Sequence, residues 1–191
     1  DADRPVEADV REVQRTTHRL IRQVATVPLP TLAKIDGPAL GAGASLAIAC
    51  DIQVASERSS IGFVFRNVGL SIDSGTSYFL PRLLGENVAK ELVYTGSILD
   101  ADRAHDIGLF NHVFPEETFD RRVRTFAEGI ATGPTAAFRQ AKRLLGEGLN
   151  RSLDVALREE AIAQGLVFES RDHREGVAAF FEDRDPEFEG R

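Results

Sequence analysis

The sequence predicts an α/β fold with a helical C-terminal third, on three observations. Short segments of strand pattern, TLAKI at 31–35 and DIQVAS at 51–56, are separated by glycine-rich turns and an apolar helical stretch. Beyond residue 73 the hydrophobic spacing turns helical, interrupted by one short extended piece. The chain has 191 residues, 42% of them hydrophobic, enough to bury a sizeable core in one domain or one domain with an appendage.

Each element follows from its residues. Val10, Val13, Leu20, Ile21 and Val24 recur at helical spacing over 7–26, and Pro28 and Pro30 end that helix. A strand at 31–35 leads into a turn and glycine-rich loop at 36–43, then a buried helical stretch at 44–50. Residues 51–56 alternate like a strand, and 60–64 read as another. Segments 77–84 and 88–94 are apolar on one side. Asp100 can cap a helix over 101–107, which Gly108 stops. LFNHVF, 109–114, is short and extended, and three or four helices fill 116–183, broken near Gly133-Pro134, 146–148 and Ser170. The expected division is an α/β core over 1–115 and a helical region over 116–191.

Composition narrows the function classes. Thirty acidic against 23 basic residues give a net charge of −7, which argues against nucleic-acid binding. No apolar run reaches the ~18 residues of a membrane span. The opening DADRPVEADV is acidic and polar, unlike a signal peptide, and its first residue is Asp, so the chain reads as trimmed or N-terminally incomplete. The single cysteine, Cys50, lies in the apolar run LAIAC and reads as a small buried side chain. One cysteine allows no intrachain disulfide, and a reducing cytoplasm is the simplest location. The four histidines show no metal-ligand spacing, so no metal is expected.

The strongest local signal is ALGAGASLAIACD, 39–51. As a dinucleotide fingerprint it fails, because Leu46 stands where the third glycine is needed, and it lacks the Gly-Lys-Ser/Thr of a P-loop. Gly43-Ala44-Ser45-Leu46-Ala47 imitates a nucleophile elbow with Ser45 as nucleophile, but Ser45 lies well beyond the TLAKI strand and no histidine partner can be placed. A third alternative uses the backbone. A small-residue loop feeding a buried helix leaves N–H groups unpaired at the positive end of the helix dipole. Such groups can hold a developing enolate or thioester oxyanion. Against this stands the plainer alternative that Gly41 and Gly43 permit tight helix–strand packing. The second signal is GLSIDSGTSYFLPRLLG, 69–85, where Asp73 either caps the helix that follows or moves protons.

Four stretches together resemble the crotonase, or enoyl-CoA hydratase/isomerase, family: DGPALGAGASLAIACDIQVAS, SIGFVFRNVGLSIDSGTSYFLPRLLG, TGSILDADRAHDIGLFNHVFP and REGVAAFFEDRDPEF. The likeness runs from about residue 10 to the C-terminus. It implies a crotonase-like spiral of ββα units, a helical C-terminal trimerisation region, acyl-CoA thioester substrates and a homotrimer or dimer of trimers. Coenzyme A would enter as part of the substrate, with no separate cofactor. By position, the resemblance makes the backbone N–H of Ala42 one oxyanion donor, with the second donor from a loop upstream of residue 1. The two glutamates with which the family's hydratases split water match Ser45 and Phe65 here, and neither can act as a carboxylate. Asp73 falls where the ring-1,2-epoxyphenylacetyl-CoA isomerases and related enoyl-CoA isomerases carry an aspartate. The 4-chlorobenzoyl-CoA dehalogenases also hold an aspartate there, within a DxxTSY pattern echoed by residues 73–78.

The expected chemistry is therefore an enoyl-CoA isomerisation with Asp73 as the acid/base. Gly41, Gly43, Ser45, Phe63 and Phe65 complete the expected substrate site, with the two phenylalanines lining the acyl pocket. Phe180 matches a coenzyme A-contacting aromatic in relatives. Asp183 stands at their basic position, with Arg184 a substitute. The rivals are a hydratase, a non-catalytic acyl-CoA-binding protein and a Ser45 hydrolase.

Overall fold

A computed structural model describes residues 6–191. These form two compact units: the described residues up to Val27 with Thr31–Val123, and Pro28–Pro30 with Arg124–Arg191. Helices α1 (Val6–Val13) and α2 (Arg19–Thr26) form one helical run joined by a π-helical turn at Gln14–His18. Of that run only Ile21 is buried.

The first unit is an alternation of strand pairs and helices. Strand β1 (Leu32–Ile35) is followed by β2 (Pro38–Leu40) and α3 (Ala42–Ala49). Strand β3 (Ile52–Ser56) is followed by β4 (Ser60–Gly62), a 3₁₀ turn at Val64–Val68, α4 (Thr76–Leu84) and α5 (Glu86–Thr95). Each strand pair divides between two sheets: β3 lies parallel to β1, and β4 parallel to β2. Successive ββα units thus stack in register, which is the spiral the resemblance implied. Strand β5 (Ile98–Asp100) adds antiparallel to β4, and β6 (His112–Phe114) adds parallel to β3. The sheet orders are β1-β3-β6 and β2-β4-β5. Between β5 and β6 lies α6 (Ala101–Asp106), N-capped as expected by Asp100, which accepts from the Arg103 amide.

Local chemistry fixes the seams. Asp51 accepts from both the amide and the hydroxyl of Thr31, pinning the start of β1 beside β3 at 2.7 and 2.8 Å. Helix α3 is apolar on every side and buries Ala44, Ser45, Ala47, Ile48 and Ala49, so it can exist only between layers. Its C-terminal carbonyls would be orphaned there. The buried Gln53 amide satisfies two of them, those of Ala47 and Cys50. The core joins α3 to Ile35, Ile61, Phe63, Phe65, Leu80 and Leu92. A fully buried Phe or Leu contributes about 1.5–3 kcal/mol, against about 0–1 for an exposed ion pair, so packing on α3 and α4 positions the site rather than surface charge.

Strands β2 and β5 are absent from the expectation above. Each has three residues, too short for an alternation to register, and β2 sits inside the segment that reads as a turn. The helical stretch at 44–50 begins two residues earlier, at Ala42.

In the second unit, α7 (Phe119–Ala131) crosses from the first, followed by α8 (Thr135–Gly148), α9 (Leu153–Phe168) and α10 (Arg171–Glu182). Ser152 and Ser170 cap α9 and α10. Arg143 ties α8 to Glu159 of α9 at 2.8 Å. After α10 the chain turns back. The buried Asp172 accepts from the amides of Glu189 and Gly190, and the Arg191 carbonyl accepts from the amides of Arg171 and Asp172. Among the described residues no helix is long and apolar enough to cross a membrane.

Two outcomes follow. Gly75 has φ +80°, and a Cβ there would meet Phe79 at 2.8 Å and Ile21 at 3.1 Å. Gly75→Ala should lower stability by about 2 kcal/mol or more, from the left-handed backbone and the overpacking together, measured by the denaturant midpoint. Arg184 forks onto Glu175, and this pairing, with the Glu187 amide, holds the Glu175 carboxyl down at about 2 from its ordinary 4.5. A depressed folded-state value stabilises fully above the unfolded value of about 4.5 and is lost as pH falls towards about 2. Arg184→Ala should therefore melt below the parent at neutral pH, with the gap closing below about pH 4.5.

Candidate active site

Strand β2 ends at Gly41, whose φ of 54° and ψ of −119° belong to glycine's territory. Its amide donates to the Gly62 carbonyl of β4 at 2.9 Å, and its carbonyl accepts the first helical bond, from the Ser45 amide at 3.0 Å. The amides of Ala42, Gly43 and Ala44 therefore lie before the helix's own acceptors. Ala42 and Gly43 are exposed, so their amides stand at the positive end of the α3 dipole on the accessible side. Tight packing does not explain the glycines: a Cβ at Gly41 or Gly43 would meet nothing within 4 Å. The space before α3 is open.

Asp73 sits in a turn of unusual backbone. Ser74, with φ +53°, and Gly75 are consecutive left-handed residues, and for a serine that conformation costs about 1–2 kcal/mol. Helix α4 starts after Gly75 with no side-chain cap, so the capping alternative for Asp73 falls. Asp73 contributes its backbone carbonyl, which accepts from the Thr76 amide at 2.9 Å. Its carboxylate is half-buried and accepts from the Ser74 hydroxyl at 2.6 Å, and it joins no ion pair among the described residues.

Ser45 and Thr76, both fully buried, join the two parts. Ser45 Oγ lies 2.6 Å from Thr76 Oγ1 and 3.1 Å from the Gly41 carbonyl oxygen. Each hydroxyl has one proton, so one order satisfies every contact: Thr76 donates to Ser45, and Ser45 donates to Gly41. The chain Gly41–Ser45–Thr76–Asp73 thus connects the turn into α3 to the backbone of Asp73, through the Thr76 amide and the Asp73 carbonyl. Ser45, expected among the substrate-binding residues, has no exposed surface here and bridges α3 to α4, and its burial speaks against the nucleophile alternative. Thr76 was not singled out in the sequence; a threonine three residues after an aspartate gives no signal of a partner 31 positions away.

Phe63 and Phe65 are buried in the core of the first unit, at 1% and 8% exposure. Phe65 follows β4 in the 3₁₀ turn that leads towards the Asp73 loop. Phe180 and Arg184 belong to the second unit. Phe180 is exposed, packs edge-to-face on Phe181 and borders a recess of about 360 Å³ with His173, Val177 and Phe188. Arg184 is committed within its own chain: two nitrogens grip Glu175 and a third donates to Glu182 at 2.7 Å. Its hydrogen bonds to Glu175 and then to Glu182 hold the guanidinium above the ordinary arginine value. These contacts clasp the C-terminal tail to α10. Among the described residues no cluster of three or more His, Cys, Asp or Glu offers a metal site.

The family model described as enoyl-CoA hydratase/isomerase matches residues 3–191. The enoyl-CoA isomerase/hydratase fer4 of Mycosarcoma maydis is 39% identical over 97% of this chain and 68% of its own length. The 1,2-epoxyphenylacetyl-CoA isomerase of Escherichia coli is 35% identical over 94% of this chain and 68% of its own. The crystal structure of a putative enoyl-CoA hydratase from Streptomyces coelicolor superposes with a TM-score of 0.91 at 38% identity, over 96% of this chain and 67% of that one. Most further named relatives are hydratases. With the stacked ββα units and the α3 terminus already in place, these matches establish that the chain belongs to the enoyl-CoA hydratase/isomerase, or crotonase, family.

Proposed function

We propose that this member of an acyl-CoA-transforming family is an enoyl-CoA isomerase in which Asp73 is the single acid/base. The thioester oxygen sits against the Ala42 amide at the α3 terminus. As Asp73 takes a proton from C2 of a 3-enoyl thioester, the electron pair moves onto that oxygen and the amide stabilises the charge. The proton returns to C4, the double bond comes to rest between C2 and C3, and no water is consumed. The observation that carries this reading is the Asp73 carboxylate itself. It is half-buried and absent from capping and ion pairing, and its residue's backbone carbonyl is tied through Thr76 and Ser45 to the helix that presents the amides.

The second reading is a hydratase, and the names of most relatives favour it. Against it stand the two positions that the resemblance gives to the hydratases' glutamates. One is the buried Ser45 and the other is Phe65 in the core. Neither supplies a carboxylate to activate water. Assembly as a homotrimer or dimer of trimers is part of the same proposal. Exposed Leu145, Leu149, Leu153, Leu157, Leu166 and Phe168 on and between α8 and α9 support it.

Turnover of 3-hexenoyl-CoA to the 2-enoyl product, with little 3-hydroxyacyl-CoA formed from crotonyl-CoA, is the expected pattern. Predominant hydration would select the second reading, and binding without turnover a non-catalytic role. Asp73→Asn should lower kcat for the isomerisation by about 10²–10⁴-fold with KM little changed, and an unchanged kcat would overturn the assignment. Sedimentation of the full chain at the mass of three or six copies is expected, and a monomer at micromolar concentration would overturn the assembly.

A further inference from the structure

We propose that Ser74 is a positioning residue that fixes which oxygen of Asp73 moves the proton, an inference that rests on the assignment of Asp73 as acid/base. Ser74 is fully buried, and its Oγ donates to Asp73 Oδ1 at 2.6 Å. That is the length of a charge-assisted O–H···O⁻ bond. The residue stands at φ +53°, immediately before Gly75 at φ +80°. Glycine takes this conformation freely and serine does not. The backbone at position 74 therefore favours glycine, and what serine adds is the hydroxyl.

The hydroxyl proton is given to Oδ1, so that oxygen is occupied and the carboxylate cannot swing freely about its last torsion. Oδ2 accepts no hydrogen bond from the described residues. The two oxygens, equivalent in a free carboxylate, are made different: Oδ1 is held and Oδ2 is the base. Oδ2 takes the proton from C2 and returns it to C4, while the Ser74 proton stays on its own oxygen throughout. One lone pair serves both halves of the transfer, which requires that its direction be held between them. Geometry of this kind is worth rate because a reacting group must be aligned as well as near.

The test compares Ser74→Gly, Ser74→Ala and Asp73→Asn in the full chain, reading kcat and KM for 3-hexenoyl-CoA isomerisation and the melting temperature. Ser74→Gly removes the hydroxyl together with the backbone strain, and Ser74→Ala removes the hydroxyl alone. A positioning role predicts that both lose roughly tenfold in kcat at unchanged KM, the rate equivalent of one charge-assisted hydrogen bond. The melting temperature of the glycine variant should hold or rise while that of the alanine variant does not. If Ser74 serves only the fold, kcat follows the melting temperature and the glycine variant keeps the parental rate, which overturns the inference. Asp73→Asn separates the two failures. If it abolishes turnover while Ser74→Gly does not slow it, only the role of Ser74 falls; if it leaves turnover intact, the Asp73 assignment falls with it.

Discussion

Two hydroxyl groups without access to water hold the candidate site together. Ser45 on α3 and Thr76 at the start of α4 meet at 2.6 Å in a part of the core where an unpaired hydroxyl would be costly. Neither has an alternative partner in water, so their contact sets the distance between the two helices. On one side the Ser45 hydroxyl reaches the Gly41 carbonyl and fixes the turn from β2 into α3. On the other the Thr76 amide reaches the Asp73 carbonyl and fixes the turn that displays the carboxylate. The α3 terminus and the Asp73 turn are thereby held by one hydrogen-bond network within the first unit.

The same pair bears on the proposed absence of water-splitting carboxylates. A glutamate at position 45 would have to leave the core to be useful. Serine there is fully buried and hydrogen-bonded within the core. Phe65 completes the exchange by filling the core. The proposed acid/base, Asp73, lies on a turn that departs from the easy backbone regions at two residues in succession. Strain of this kind persists where surrounding packing dictates it, and it gathers at functional sites. Here the packing comes from Ile21 and Phe79, which leave no space for a side chain at Gly75.

Much of this was legible in the sequence and part was not. The strands of β1 and β3, the helices around Leu80 and Leu92 and the Asp100 cap follow from patterns within a dozen residues. The family was legible because four motifs keep their order and spacing. Strands β2 and β5 were not, because three residues make no alternation and only pairing with β4 makes them strands. In the candidate site, the Ala42 amide and Asp73 are proposed from position, and the structure adds that glycine packing and helix capping do not account for them. The burial of Ser45 and the partnership with Thr76 are long-range facts that local spacing does not carry. The engagement of Arg184 was hidden for the same reason: Glu175, nine positions away on α10, claims the guanidinium.

The central claim is that one thioester can touch the Ala42 amide while its reacting carbons lie beside Asp73. A crystal structure of the full chain with a bound 2-enoyl-CoA or enolate-mimicking thioester tests it directly. The account predicts the thioester oxygen about 3 Å from the Ala42 nitrogen and Asp73 Oδ2 within about 3.5 Å of C2 or C4. An acyl chain seated away from Asp73, or a thioester oxygen turned from the α3 terminus, would contradict it.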